Sequence, residues 1–160
     1  MAVLVPARMF TISQVITNPG AVTNLSLQAA ATKPFVIVQA KIELAQAAIP
    51  TAAHARVRLV RKTAAPTGLT SIAASTFMNH DPTDSDAVLT AGHTATGEGT
   101  DGDFIERGWG ANTGWVFSWD PTPEEYIVVP AGVANGIALK HNVAPPAGNY
   151  SFLMTVHEIG

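Results

Sequence analysis

Any chemistry on this chain would have to come from a few small groups of residues. His80, Asp81, Asp84 and Asp86 lie close together in HDPTDSD, and carboxylate oxygens are the hard ligands that calcium collects, roughly six to eight at a time. The run lacks the glycine and closing glutamate of an EF-hand loop, and Asp also bonds its own backbone in turns, so no metal site is expected there. His54, His80, His93, His141 and His157 are scattered without a pair at zinc-ligand spacing. His141 falls in phase with Ile137 and Leu139 and reads as an inward, hydrogen-bonded histidine. Glu124 with Glu125, or Asp101 with Asp103, offers the two carboxylates of a glycoside hydrolase. That reaction depends on their separation in space, and exposed loop carboxylates fit the same residues. The chain has no G-x-S-x-G elbow, phosphate-binding glycine loop or dinucleotide fingerprint. It has no cysteine, which excludes thiolate nucleophiles, thiolate metal sites and disulfides. The expectation is therefore no catalytic residue, no cofactor and no metal.

Two further groups speak to binding. Trp109, Trp115 and Trp119, with Phe104 and Phe117, concentrate the large aromatic side chains. Exposed on a sheet they would stack on sugar rings; buried they would form a core or a subunit seam, where Trp is enriched. Gly108, Gly110 and Gly114 beside them read as tight sheet geometry. Arg56, Arg58, Arg61 and Lys62 form a basic row, either a site for an acidic surface or a solvated or edge strand kept from aggregating by charge.

The elements that must position these groups read as strands. Residues 34–46, PFVIVQAKIELAQ, place Val36, Val38, Ala40, Ile42 and Leu44 on one face and Gln39, Lys41 and Glu43 on the other. A period of two is that of a strand, although residues 40–49 also contain good helix formers. Residues 8–16 alternate likewise, with Phe10, Ile12 and Ile16 on one face. Residues 22–29 put Leu25 and Leu27 in and Asn24 and Ser26 out, and residues 54–62 put Ala55, Val57 and Leu59 in and the basic row out. Residues 64–102 are the least regular, with a helical turn expected near 81–88 and an exposed, mobile loop at 94–102. Trp115, Phe117 and Trp119 share a strand face, residues 126–129 form a short buried strand, and residues 137–141 and 150–158 form the last pair. Eight or nine short strands separated by turn signals, without a long helix, predict an all-β, antiparallel β-sandwich, jelly-roll-like, with an N-terminal arm and long loops. One domain is expected over 1–160: an arm at 1–9 and the sandwich at 10–160.

Composition narrows the partners. Hydrophobic residues make up 47% of the 160 and charged residues 13%, a low charge content for a chain that keeps its whole surface wet. A net charge of −3 argues against nucleic acid, which selects a basic face. No run of about 18 apolar residues is present to span a membrane, and MAVLVPARMF does not read as a signal peptide. Synthesis in the cytoplasm is expected.

Taken in order, the opening Arg8-x-Phe10 strand, PFVIVQAKIEL, ARVRLVRK, the acidic loop NHDPTDSDA, GWVFSWDPTPEEYIVVPAG and the closing YSFLMTVHE form a pattern. In that pattern the chain resembles the small head-decoration (auxiliary capsid) proteins of tailed double-stranded-DNA bacteriophages over most of its length. The resemblance implies a β-rich virion protein, commonly a trimer, bound to the major capsid protein on the outer capsid surface, and it carries over no catalytic residue. On the residues themselves, an apolar arm and a surplus of aromatics favour self-assembly, with Val3, Leu4, Val5, Arg8, Phe10, Trp109, Trp115 and Trp119 as the expected interface. The alternatives are a trimeric fibre head or lectin-like module that binds a glycan through Trp109 and Trp119, and a jelly-roll hydrolase using Glu124 or Asp103.

Overall fold

The computed structural model describes residues 8–46, 54–80, 87–110 and 115–159. Within them the chain forms twelve strands: β1 (Arg8–Thr17), β2 (Thr23–Gln28), β3 (Phe35–Leu44), β4 (His54–Ala64), β5 (Thr70–Ile72), β6 (Met78–Asn79), β7 (Thr90–His93), β8 (Thr100–Gly110), β9 (Trp115–Trp119), β10 (Ile127–Val129), β11 (Gly136–Val143) and β12 (Asn149–Glu158). All pairings are antiparallel. They build two six-stranded sheets. One runs β10-β3-β12-β1-β6, with β9 also on β3; the other runs β5-β7-β2-β11-β4-β8. Both contribute to one buried core, so the fold is an all-β antiparallel sandwich. No helix among the described residues is long and apolar enough to cross a membrane.

The centre of the first sheet follows from alternation. On β12, Tyr150, Phe152, Met154 and Val156 are buried at every second position, and β1 presents Phe10, Ile12 and Ile16 to the same core. β3 keeps to the expected span but changes phase. Its register against β12 slips by one residue between Ile37 and Gln39, and the extra residue moves every later side chain to the other parity. Phe35 and Ile37 are therefore buried before the bulge, and Ala40 and Ile42 after it. Val36 and Val38, expected on the face of Ala40 and Ile42, are only half-buried.

The second sheet departs further from simple alternation. Every residue of β2 is buried, including Asn24 and Ser26, which were expected to face water. The register of β2 against β11 shifts beside Asn24, and the Asn24 side chain turns to His141, whose Nδ1 lies 2.7 Å from Asn24 Oδ1. Ser26 Oγ accepts a hydrogen bond from Gln28. His141 is the inward histidine expected from its phase. Its ring meets Tyr150 and Phe152 edge-on, and burial pushes its pKa down to about 4.

Residues 137–141 and 150–158 are not a pair, contrary to expectation. β11 lies between β2 and β4 in one sheet and β12 between β1 and β3 in the other, so the connection crosses the sandwich. The hydroxyl of Tyr150 donates to Pro146 O at 2.8 Å and ties that crossing down. Similarly, β4 is no edge strand: β11 and β8 flank it. The helical turn expected near 81–88 and the possible ligands Asp81, Asp84 and Asp86 fall mostly or wholly outside the described residues.

Candidate functional site

Charge in this protein gathers on β8 and the strands beside it. At the start of β8, two lysines and two carboxylates close on one another. Lys62, on β4, has no exposed surface, although the basic row was expected to point outward. Its Nζ donates to Glu98 O at 2.8 Å and to an Asp101 carboxylate oxygen. Lys140, on β11, bridges both acids, with Nζ 3.0 Å from Glu98 Oε2 and 3.0 Å from Asp101 Oδ2. Thr23 completes the set, its backbone N–H 2.8 Å from Glu98 Oε1 and its hydroxyl 2.7 Å from Oε2. Burial pushes both carboxyls up, but hydrogen bonds from Thr23 and Lys140 hold Glu98 below the usual range, and those from Lys62 and Lys140 do the same for Asp101. Burial works against the Lys140 ammonium, and its two acidic partners raise its pKa in spite of it. A general acid for glycoside hydrolysis needs the opposite, a carboxyl kept protonated near neutrality. Glu98 and Asp101 are thus both held as anions by their hydrogen-bond partners.

Residues 94–102 are largely exposed, as expected, with Thr94, Thr96, Gly99, Thr100 and Asp101 at the surface, but they are tied down and do not form a loop throughout. Ala95 is buried, Thr67 and Gly97 form a bridge, and Thr100–Gly102 already belong to β8. Gly99 has φ +67°, and a Cβ there would sit 2.2 Å from Ala64 O. Only glycine fits so close to the end of β4 in that conformation.

Farther along β8 the sandwich is open. β8 ends its sheet, and β9 and β10 lie at the corresponding edge of the other. Between them is a cavity of about 190 Å³ lined mainly by Leu59, Ile105, Ile127 and Ile137, with Arg61 and Asp103 at its polar side. Phe104 and Val128, 49% and 50% exposed, stand on this flank. Arg61 Nη1 donates to Val128 O at 2.6 Å and so links the two sheets. The Arg58 guanidinium stacks 3.9 Å over the Phe104 ring and pairs with Glu106 at 2.6 Å. Hydrogen bonding and charge from Arg58 lower the Glu106 pKa, with smaller contributions from Arg56 and Asn142. Among the described residues, neither Asp103 nor Arg107 belongs to an ion pair.

The expected interface residues are spread widely. Val3, Leu4 and Val5 lie outside the described residues. Arg8 and Met9, assigned to the arm, are the first two residues of β1. Arg8 pairs with Glu158 at 2.9 Å, and the other Glu158 oxygen accepts from the N–H groups of Val88 and Leu89 at 2.8 and 2.7 Å. Phe10 is 1% exposed and belongs to its own chain's core, which rules its side chain out of an interface. Trp119 is partly buried against that core. Trp109 stands opposite Ala55, and Trp115 opposite Glu43; their side chains lie outside the described set. Gly108 has open space where a Cβ would be, so it does not mark tight packing. Glu125 is occupied in a capping box with Thr122. Among the described residues, no three His, Asp or Glu side chains come together as a metal site.

Sequence reasoning missed the Lys62–Lys140–Glu98–Asp101 cluster and the open edge of β8. The second had a signal: Asp103, Ile105 and Arg107 alternate with Phe104 and Glu106, the period of a strand. Compared with known proteins, the chain matches no family model, no curated protein and no solved structure.

Proposed function

We propose that this protein is a virion structural protein that decorates the outer surface of a phage capsid. It acts as a homo-oligomer, a trimer on the resemblance, and stabilises the head by binding the major capsid protein. The observation that carries this reading is the open flank. Among the described residues, a sandwich with few charged side chains leaves an eleven-residue edge strand, an apolar cavity and the large side chains of Phe104 and Val128 uncovered on one side. Such a flank is a poor solution for an isolated domain and a ready surface for another polypeptide.

The strand order adds support. In sequence the chain moves between sheets so that β1-β12-β3-β9 faces β2-β11-β4-β8. We read this as a jelly roll, the double-sheet architecture used by viral capsid and lectin domains. The function itself rests on the uncovered flank and the resemblance, because one architecture serves many functions.

The test is rebinding. Purified protein is mixed with shells of the major capsid protein that lack it, and the mixture is sedimented. Co-sedimentation to a fixed stoichiometry, with shells more resistant to heat, is the expected result. Protein left at the top of the gradient, with shell stability unchanged, would overturn the proposal. Removing residues 1–7 leaves the Arg8–Glu158 pair in place, and multivalent binding predicts a loss of affinity of about tenfold or more when one contact of several is deleted.

A further inference from the structure

We infer that the free edge of β8 is a self-association surface on which two copies pair their β8 strands antiparallel about Ile105. The partner is a second copy of this chain. The inference concerns the same open flank as the proposed function and assigns its β8 edge to a second copy; its test needs no capsid protein, so the two can fail separately.

The argument starts from the position of β8. It pairs with β4 along one side and ends its sheet on the other, so its outer N–H and C=O groups have no strand partner among the described residues. Charged side chains on an edge usually guard against pairing. Here their placement has the opposite effect. Asp103, Ile105 and Arg107 follow at every second residue along one side of the strand, and Asp103 and Arg107 are exposed and outside the ion pairs that occupy their neighbours. Two antiparallel copies of one strand, related by a two-fold axis, pair residues whose numbers have a constant sum. Centred on Ile105, Asp103 faces Arg107 of the second copy and Arg107 faces its Asp103. Two opposite-charge cross-strand pairs form at once.

The neighbouring registers are worse. Centred on Glu106, the two Glu106 carboxylates face each other. Centred on Phe104, Arg107 faces an Asp101 already held by Lys62 and Lys140 in its own chain. The pairing of β8 with β4 slips between Phe104 and Asp101, so residues 104–107 of the new pairing lie on the regular part of the strand and Asp103 stands at its margin. It joins two six-stranded sheets into one and brings Ile105, which lines the cavity, against its counterpart at the cavity mouth. The contact is isologous. It is therefore separate from a three-fold ring, and rings with this edge outward would be linked through it.

The 160-residue chain has no cysteine, which permits a direct test on the protein alone. Residues directly opposite in an antiparallel pair have Cα atoms about 4.5–5.5 Å apart, within the span of a disulfide. Ile105→Cys under mild oxidation is expected to give a disulfide-linked dimer on a non-reducing gel. Val133→Cys, on an exposed residue away from β8, is expected to stay unlinked. Adding Asp103→Arg or Arg107→Asp to Ile105→Cys puts like charges face to face and is expected to slow linkage about tenfold. Mixing those two variants places opposite charges at both contacts again and is expected to restore linkage as a mixed dimer. Absence of the Ile105→Cys dimer in protein with an unchanged circular dichroism spectrum, or linkage indifferent to the charge changes, would overturn the inference.

Discussion

At the start of β8, Asp101 sits between Lys62 and Lys140 with Glu98 alongside, and every charge is answered within the chain. Two residues on, Asp103 is exposed, and so is Arg107 farther along the same strand; neither belongs to an ion pair among the described residues. Both regions lie on one strand and use the same kinds of side chain. Asp101 is itself at the surface, and the regions differ in partners and in the burial of Lys62. The first is folded over by residues 95–101, which bury Lys62 completely. The second faces outward at the end of the sheet. Buried charge demands a partner because an uncompensated ion in the interior is costly, whereas charge on an edge costs little and is free to select what docks there. The first region belongs to stability and the second to association.

The sharpest way to break this distinction is to open the closed cluster. Lys62→Met leaves Glu98 and Asp101, both partly exposed, with Lys140 as their one cation, and removes the hydrogen bonds of a charged group, a loss of roughly 1.5–3 kcal/mol. The urea midpoint should fall accordingly, and a shift under about 0.5 kcal/mol would show that the cluster is not structurally required.

Acid probes the buried polar groups without mutation. The folded pKa of His141, about 4, lies below its ordinary value of 6.5. Its contribution is therefore whole above pH 6.5, where the unfolded chain is also neutral, and is lost as pH falls through 4. The difference corresponds to about 3 kcal/mol. Glu98 and Asp101 are also shifted down, so their contributions are likewise present near neutrality and lost on acidification. Stability measured from pH 7 to pH 4 should fall, and His141→Gln should flatten the part of the slope that belongs to the histidine.

A smaller effect is expected from Tyr150→Phe. It removes the hydroxyl that donates to Pro146 O and keeps the ring in the core, a change of about 1 kcal/mol. Smallest of all for folding should be Arg107→Ala. Because Arg107 is exposed, its removal should leave the urea midpoint within about 0.5 kcal/mol while weakening self-association. A large loss of folding stability instead would place Arg107 with the closed region and erase the distinction.

Much of the fold was legible because period two survives in β1 and β12, where Phe10 and Tyr150 mark the buried side; in β9 the register against β3 slips between Phe117 and Trp115, which were expected to share a face. Legibility failed where a bulge or a covering segment intervened. One inserted residue near Val38 changed the phase of β3, and another beside Asn24 turned a polar side chain inward. Sequence also gave no sign that Lys62 and Asp101 would meet across strands, since their partners come from Glu98 and Lys140, distant in the chain. His141 was readable from its phase with Leu139, but the partner it finds in Asn24 depended on the bulge. Of the expected interface, Phe10 lies in its own chain's core, and from the aromatic-rich residues 104–119 Phe104 stands exposed on the open flank while Phe117 is buried.

The mass in solution tests the central claim most directly. Sedimentation equilibrium of the purified 160-residue chain at micromolar concentration should give a multiple of 16.7 kDa, reduced by Asp103→Arg and recovered when that variant is mixed with Arg107→Asp. A single species of 16.7 kDa at every concentration, unchanged by either substitution, would contradict an account in which another copy of the chain covers the open flank.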